Sequence, residues 1–213
     1  MAQKTILFDL DGTLTDSGEG IINCVTLALE HFGLPVPSRE EMRVFVGPPL
    51  DRTFVQFGVP AERAQEAVDV FRSRYLVTGK FENTPYPGIH DLLRTLKAQG
   101  HRLFVATSKP ETTAVEILRK FGLAEFFEEI CGASFDVSRV HKADVIAYLL
   151  KHIDNPGQLL MVGDTEFDVL GAAVHGIDTI GVSWGYGDVD AIKKAGAIAI
   201  AHNMEQLLTY INA

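Results

Sequence analysis

The chain has 213 residues, 46% of them hydrophobic, and a formal charge of -9 from 28 Asp and Glu against 19 Lys and Arg. That balance repels nucleic-acid polymers and anionic membranes, but leaves room for a small phosphorylated metabolite in a locally positive pocket. The length allows one core plus a sizeable insertion, and no segment nears the roughly 20 apolar residues of a membrane span.

In chain order, an apolar strand runs from about Thr5 to Phe8 and breaks into Asp9-Leu10-Asp11-Gly12-Thr13-Leu14. The run is short and is followed at once by acids, unlike a secretory signal. Cys24 and Cys131 stand far apart and form no metal-type or redox-type pair, so a cytoplasmic protein is expected. Ile21, Ile22, Val25, Leu29 and Phe32 repeat at helical spacing up to Gly33. Ser38-Arg39-Glu40-Glu41 fits a capping box for a next helix, and Pro48-Pro49 opens another through Phe54 and Phe57. A longer helix starts at Pro60 and carries Ala64, Val68, Phe71 and Tyr75. Residues 16–83 therefore read as nearly all helix.

From Thr84 the pattern changes to apolar strands alternating with amphipathic helices. Strands are expected at Leu103 to Ala106, Glu129 to Cys131, Leu159 to Val162, Thr179 to Val182 and, more weakly, Ala197 to Ile200. Helices are expected from Ile89 to Gly100, from Pro110 to Phe121, from Lys142 to His152 and up to Val174. This is an α/β fold, a Rossmann-like doubly wound, mostly parallel sheet covered on both faces. The core would be residues 1–15 and 84–213, with an all-helical cap domain inserted at 16–83.

Such sheets carry their functional groups at the carboxyl ends of the strands. Here those ends bear Asp9 and Asp11, Thr107-Ser108-Lys109, Lys142, and Gly163-Asp164-Thr165 with Asp168 beyond. Period-two alternation aims Asp9 and Asp11 at one point, and Gly12 permits a sharp turn. Asp and Gly are also ordinary turn residues, and each lysine alone reads as a solvated charge. Together, clustered carboxylates repel unless a hard cation joins them, and Asp9 and Asp164 suit Mg²⁺. Asp9 could then attack phosphorus, with Asp11 as acid and base. Thr107 and Lys142 would hold the equatorial oxygens, and Asp168 would orient groups around the metal.

These segments, in order, resemble the four motifs of the haloacid dehalogenase superfamily. The resemblance covers essentially the whole chain and implies a helical cap after the first motif. It also implies Mg²⁺ held by Asp9, Asp164 and the backbone carbonyl of Asp11. Having Asp11 looks like the phosphatase branch of that superfamily, and the helical insertion resembles phosphoglycolate phosphatases. Phe45-Val46-Gly47-Pro48-Pro49-Leu50 and Ala106-Thr107-Ser108-Lys109-Pro110 look most like bacterial 5′-nucleotidase-like proteins. Substrate-binding roles are expected for Gly12, Thr13, Ser108 and Lys109. In the cap, Gly47, Pro48 and Arg52 are the corresponding candidates, with Arg43 and Lys80 also able to meet an anion. One departure is Val140-His141-Lys142-Ala143, where many relatives have Pro after the lysine.

The cap is expected to hinge near Thr15–Ser17 and Asn83–Pro85. A phosphomutase on the same scaffold and a phospho-accepting signalling module are the rival readings; Asp11 favours turnover over storage. Gly181-Val182-Ser183-Trp184-Gly185 also matches a serine-hydrolase elbow, with Asp188 or Asp190 and His202 following. Only 30 residues follow Ser183, too few for the usual supporting strands. Gly185-Tyr186-Gly187 lacks the third glycine of a dinucleotide fingerprint and reads as a loop. Oligomeric state is not readable from the sequence.

Overall fold

Strand β1 (Lys4–Phe8) is buried from Thr5 onward because its alternating side chains enter two different cores. A computed structural model describes residues 3–134 and 138–213. Ile6 and Phe8 pack with Leu92, Leu93 and Leu96 of α4 (Ile89–Ala98) and with Ile117 of α5 (Glu111–Lys120). Leu7 faces the other way, toward Val145, Ile146 and Leu149 of α6 (Lys142–Leu150). A strand apolar on both faces belongs in the middle of a covered parallel sheet.

That is where β1 lies. The sheet has six strands, ordered β5-β4-β1-β6-β7-β8, and the described pairings within it are parallel. Its other strands are β4 (Arg102–Pro110), β5 (Glu129–Ala133), β6 (Gln158–Gly163), β7 (Asp178–Val182) and β8 (Ala199–Ala201). The chain moves outward from β1 through β4 to β5, then returns beside β1 as β6. This reversal makes β1 the switch point, where open α/β sheets place their ligands. Helices α7 (Glu166–Ala173), α8 (Val189–Ala195) and α9 (Met204–Asn212) complete the layers. Two short strands, β2 (Thr15–Asp16) and β3 (Thr84–Pro85), pair separately.

By internal packing, Met1–Thr15 with Pro85–Ala213 make one compact unit and Asp16–Thr84 a second. The second unit contains α1 (Gly18–His31), α2 (Leu50–Gln56) and α3 (Ala64–Tyr75). The capping box at Ser38 does form, with Ser38 N and Oγ donating to Glu41 Oε2 at 2.9 and 2.6 Å. It opens a short 3-10 segment, Glu41–Phe45, not the expected α-helix. The reason is local: Gly47 takes φ 106° and Pro48 follows, so the turn cannot continue. The helix expected from Pro60 likewise begins as a 3-10 turn at Ala61–Arg63 before α3.

Three other expectations shift. Strand β4 runs on to Pro110, and the last strand falls at Ala199–Ala201 because Gly196, at φ 107°, ends α8 just before it. Helix α6 stops at Leu150, two residues short of His152. Among the described residues no helix is long and apolar enough to cross a membrane.

In the second unit Phe45 is 1% exposed, with its ring centroid 5.0 Å from Phe54 and 4.8 Å from Phe57. Phe45→Ala should therefore cost about 3–5 kcal/mol. The measurement is amide hydrogen exchange across α2; protection equal to wild type would contradict the packing assigned to this ring.

Candidate active site

Register decides which side chains meet. Phe8 ends β1 level with Val105 of β4 and Val162 of β6. Asp9, whose N–H donates to the Val162 carbonyl at 2.9 Å, is thus the first residue past the ladder. Its neighbours at the same height lead directly into Thr107 on one side and Asp164 on the other. All three are buried.

Lys142, the first residue of α6, crosses to this edge and is almost entirely buried. Its ammonium lies 2.6 Å from Asp9 Oδ1 and 2.7 Å from Asp168 Oδ1, and donates to the Ala106 carbonyl at 2.9 Å. It thus hydrogen-bonds Asp9 and the Ala106 carbonyl and forms an ion pair with Asp168. Burial disfavours the charge, but Asp168 and Asp9 outweigh it and hold the ammonium above the ordinary lysine range. The missing proline after Lys142 does not alter this: His141 caps α6 in a box with Asp144, and Ala143 simply continues the first turn.

Asp168 completes a second capping box. Its Oδ2 accepts from Thr165 N at 3.0 Å and from Thr165 Oγ1 at 2.8 Å. Thr165, not Asp164, is the N-cap of α7. With Oδ2 taken by Thr165 and Oδ1 beside the ammonium, Asp168 orients Lys142. Burial lifts the Asp168 carboxyl above its usual range despite the neighbouring ammonium.

Asp164 sits in a cradle of backbone. Thr13 Oγ1 donates to its Oδ1 at 3.2 Å and Tyr186 N to its Oδ2 at 2.8 Å. A Cβ on Gly12 would stand 2.1 Å from Asp164 Oδ2, one on Gly185 2.2 Å from the same atom, and one on Gly187 2.0 Å from the Asp164 carbonyl. Gly12 also needs its φ of 83°. Trp184 Nε1 donates to the Thr13 carbonyl at 3.2 Å and ties the two loops together. Gly185 and Gly187, read in sequence as a plain loop, are thus part of the site. Their signal is steric and lies with a residue more than twenty positions away.

Asp11 has a different setting. Its Oδ2 pairs with Lys109 Nζ at 2.7 Å, while Oδ1 is buried without a hydrogen-bond partner among the described residues. Lys109 reaches it because β4 bulges: Ala106 pairs with Cys131 and Pro110 with Ala133, so residues 107–109 swell out of the ladder. Gly132 admits the bulge, since a Cβ there would lie 2.4 Å from the Lys109 carbonyl. Thr107 Oγ1 accepts from Lys109 N at 3.2 Å inside the bulge, and does not cap α5. Ser108 is exposed at the same turn. Gly47, Pro48 and Arg52 belong to the second unit.

Four carboxylates, Asp9, Asp11, Asp164 and Asp168, thus face two ammonium groups, Lys109 and Lys142. Fully ionised, the set is two charges short of neutrality. Ligand oxygens of Asp9, Asp164 and Asp168 lie within 4.8 Å of one another. An all-oxygen donor set of this charge fits a hard divalent cation such as Mg²⁺. Without one, burial, then the charges of Asp168 and Asp9, push the Asp164 carboxyl well above its ordinary range.

The serine-hydrolase pattern fares differently. Ser183 Oγ does meet His202 Nδ1 at 2.8 Å, but Asp188 is spent capping α8 and Asp190 pairs with Lys193. Neither expected acid completes a triad.

The family model described as haloacid dehalogenase-like hydrolase matches residues 6–182. Over 200 residues the chain is 47% identical to the Mycobacterium tuberculosis protein named tyrosine-protein kinase PtkA, covering 93% of this chain and 68% of that one. It is 44% identical over 193 residues to a Pseudomonas aeruginosa protein named 5′-nucleotidase, covering 88% of this chain and 86% of the other. The crystal structure of a predicted phosphatase from Clostridium acetobutylicum superposes with a TM-score of 0.92 at 40% identity, covering 100% of this chain and 99% of that one.

Two outcomes follow from the cradle and the charge balance. Gly185→Ala should displace the Asp164 carboxylate and weaken divalent-cation affinity by at least ~10-fold while far-UV circular dichroism stays native. Unchanged affinity would show that the loop has slack. Protonation of Asp164 competes with a cation entering the site, so affinity should rise with pH above the ordinary carboxylate range. Calorimetry at about pH 5 and about pH 8, in buffers of different ionisation enthalpy, measures both affinity and proton release. Equal affinity with no proton release would contradict the elevated Asp164.

Proposed function

Because the chain belongs to the haloacid dehalogenase-like hydrolase family, we propose that it is a Mg²⁺-dependent phosphomonoesterase for a small phosphorylated metabolite, working through an aspartyl-phosphate on Asp9. The observation that carries the reading is the unequal setting of two carboxylates at one strand end. Asp9 is held by Lys142, whose ammonium is fixed on several sides, whereas Asp11 pairs with Lys109 through Oδ2 alone and keeps a buried Oδ1 with no hydrogen-bond partner among the described residues. The first arrangement suits a nucleophile aimed at one point. The second suits a group that exchanges a proton.

Mg²⁺ bound by Asp9, Asp164 and the Asp11 backbone carbonyl would neutralise phosphoryl oxygens, so that an anionic nucleophile can approach. An Asp9 carboxylate oxygen attacks phosphorus as the bond to the leaving oxygen breaks, and Asp11 protonates that oxygen. Asp11 then removes a proton from water, which attacks the same phosphorus. The acyl-phosphate bond breaks, Asp9 is restored and inorganic phosphate leaves. Thr107 donates to the equatorial oxygens, and Lys142 joins it by exchanging one of its present partners. Gly12, Thr13, Ser108 and Lys109 line the phosphate position, and Asp168 keeps Lys142 oriented. Gly47, Pro48 and Arg52 of the inserted unit are assigned to substrate selection.

The relative named 5′-nucleotidase supports testing nucleoside monophosphates first, beside phosphoglycolate and sugar phosphates. A panel scored for phosphate release with Mg²⁺ tests hydrolysis; isomerised sugar phosphate without release would point to a mutase. The kinase name of the mycobacterial relative adds one arm, ATP with a tyrosine peptide.

Asp9→Asn should abolish turnover and Asp11→Asn should lower it by about 10²–10⁴-fold, with folding intact. Phosphate release and circular dichroism on the same samples check this. Full activity in Asp9→Asn would remove the assigned nucleophile.

A further inference from the structure

Outside the carboxylate site, the described residues contain one other cluster with metal-ligand chemistry. Glu129 and Cys131 are two apart on the edge strand β5, so their side chains project from the same face. His152, just past the end of α6, leans onto that face. Its Nδ1 lies 2.7 Å from Glu129 Oε1, and Cys131 Sγ lies 3.4 Å from the same oxygen. Ligand atoms of all three residues fall within 4.8 Å of one another.

We propose that Glu129, Cys131 and His152 form a second metal site, specific for a borderline or soft divalent cation of the Zn²⁺ class. One sulfur, one nitrogen and one carboxylate oxygen are a donor set that Zn²⁺ takes and Mg²⁺ does not. The present contacts are those of a closed triad held by protons. On binding, the Cys131 thiol loses its proton to solvent and sulfur bonds the metal. The proton that His152 Nδ1 shares with Glu129 is given up to solvent as Nε2 carries the ring's remaining proton, freeing the Nδ1 lone pair for the metal. Glu129 contributes one carboxylate oxygen.

Access and rigidity are both present. The side chains of His152 and Glu129 are 38% and 33% exposed, so the cation enters from solvent and water fills the fourth position. Cys131 is buried against the sheet and supplies the fixed ligand. Burial, with the Glu129 charge added, raises the free thiol's pKa, so without a metal this cysteine stays protonated. The His152 ring is further fixed by edge contact with Tyr148, at 4.4 Å between centroids. The site also bridges β5 to the end of α6, the helix that begins at Lys142.

The test is a Co²⁺ titration of the full chain already saturated with Mg²⁺, followed through the sulfur-to-cobalt charge-transfer absorption. Carboxylates alone cannot produce that band. It should grow to a plateau at a single equivalent, vanish in Cys131→Ser and persist in Cys24→Ser, whose thiol lies in the other unit. His152→Ala should raise the Co²⁺ dissociation constant at least ~10-fold. No band in wild type, or a band surviving in Cys131→Ser, overturns the proposal. Should Cys131→Ser fail to fold, His152→Ala and Glu129→Gln, altered on the solvent side, decide it alone: wild-type titration in both overturns the site.

Discussion

The Lys142 ammonium is the contact on which the catalytic edge depends. It holds Asp9 and Asp168 within 2.7 Å in a place with almost no water to solvate them. Removing one member of a buried ion pair typically costs about 3–5 kcal/mol, because the remaining charge is stranded. Here two carboxylates would be stranded at once. The helix that carries Lys142 must therefore begin at one particular place, and Gly171 of α7 permits the approach: a Cβ there would lie 2.7 Å from Lys142 Cβ. Asp168 in turn is positioned by capping its own helix, so α7 cannot fray without loosening the lysine.

Around this pair, backbone does much of the work that side chains might be expected to do. Asp164 is seated by glycines on two loops, and Lys109 is delivered to Asp11 by a bulge that Gly132 makes possible. These devices share one purpose. They bring charged groups closer than ordinary packing of Cβ-bearing residues would allow, and leave one position where charge remains uncompensated. A hard cation and a phosphoryl group are complementary to such a position.

Most of this edge is legible in the sequence, for a physical reason. Strand periodicity and parallel topology together bring Asp9, Thr107 and Asp164 to one edge of neighbouring strands, and the strand patterns are local. The expected Asp168 role is sharpened by its doubled partnership with Thr165 and Lys142. Gly185 and Gly187 were not legible, because what forbids a side chain there is a carboxylate from another strand. The residue 107–109 bulge was hidden likewise, since a register shift belongs to two strands and not to one. Helices α8 and α9 lie outside the elements expected from the sequence, although Asp188 and Asn203 cap them. The 3-10 segment at Glu41–Phe45 shows the opposite failure. Its capping box is local and legible, whereas the Gly47-Pro48 stop just beyond it limits the segment to a 3-10 turn.

The central place of β1 has a consequence for how the molecule is made. Its partners β4 and β6 begin only at Arg102 and Gln158. At translation rates of about 5–20 residues per second, both edges of an apolar strand wait on the order of ten seconds for their neighbours. The inserted helices, by contrast, are contiguous in sequence and complete by Thr84. They can collapse early, while Ile6, Leu7 and Phe8 remain uncovered on the emerging chain. Of the clustered acids, Asp9 leaves the ribosome first, yet its surroundings are finished only when β6 and the loop through Gly187 arrive. Chaperone binding to nascent chains should accordingly concentrate on this strand.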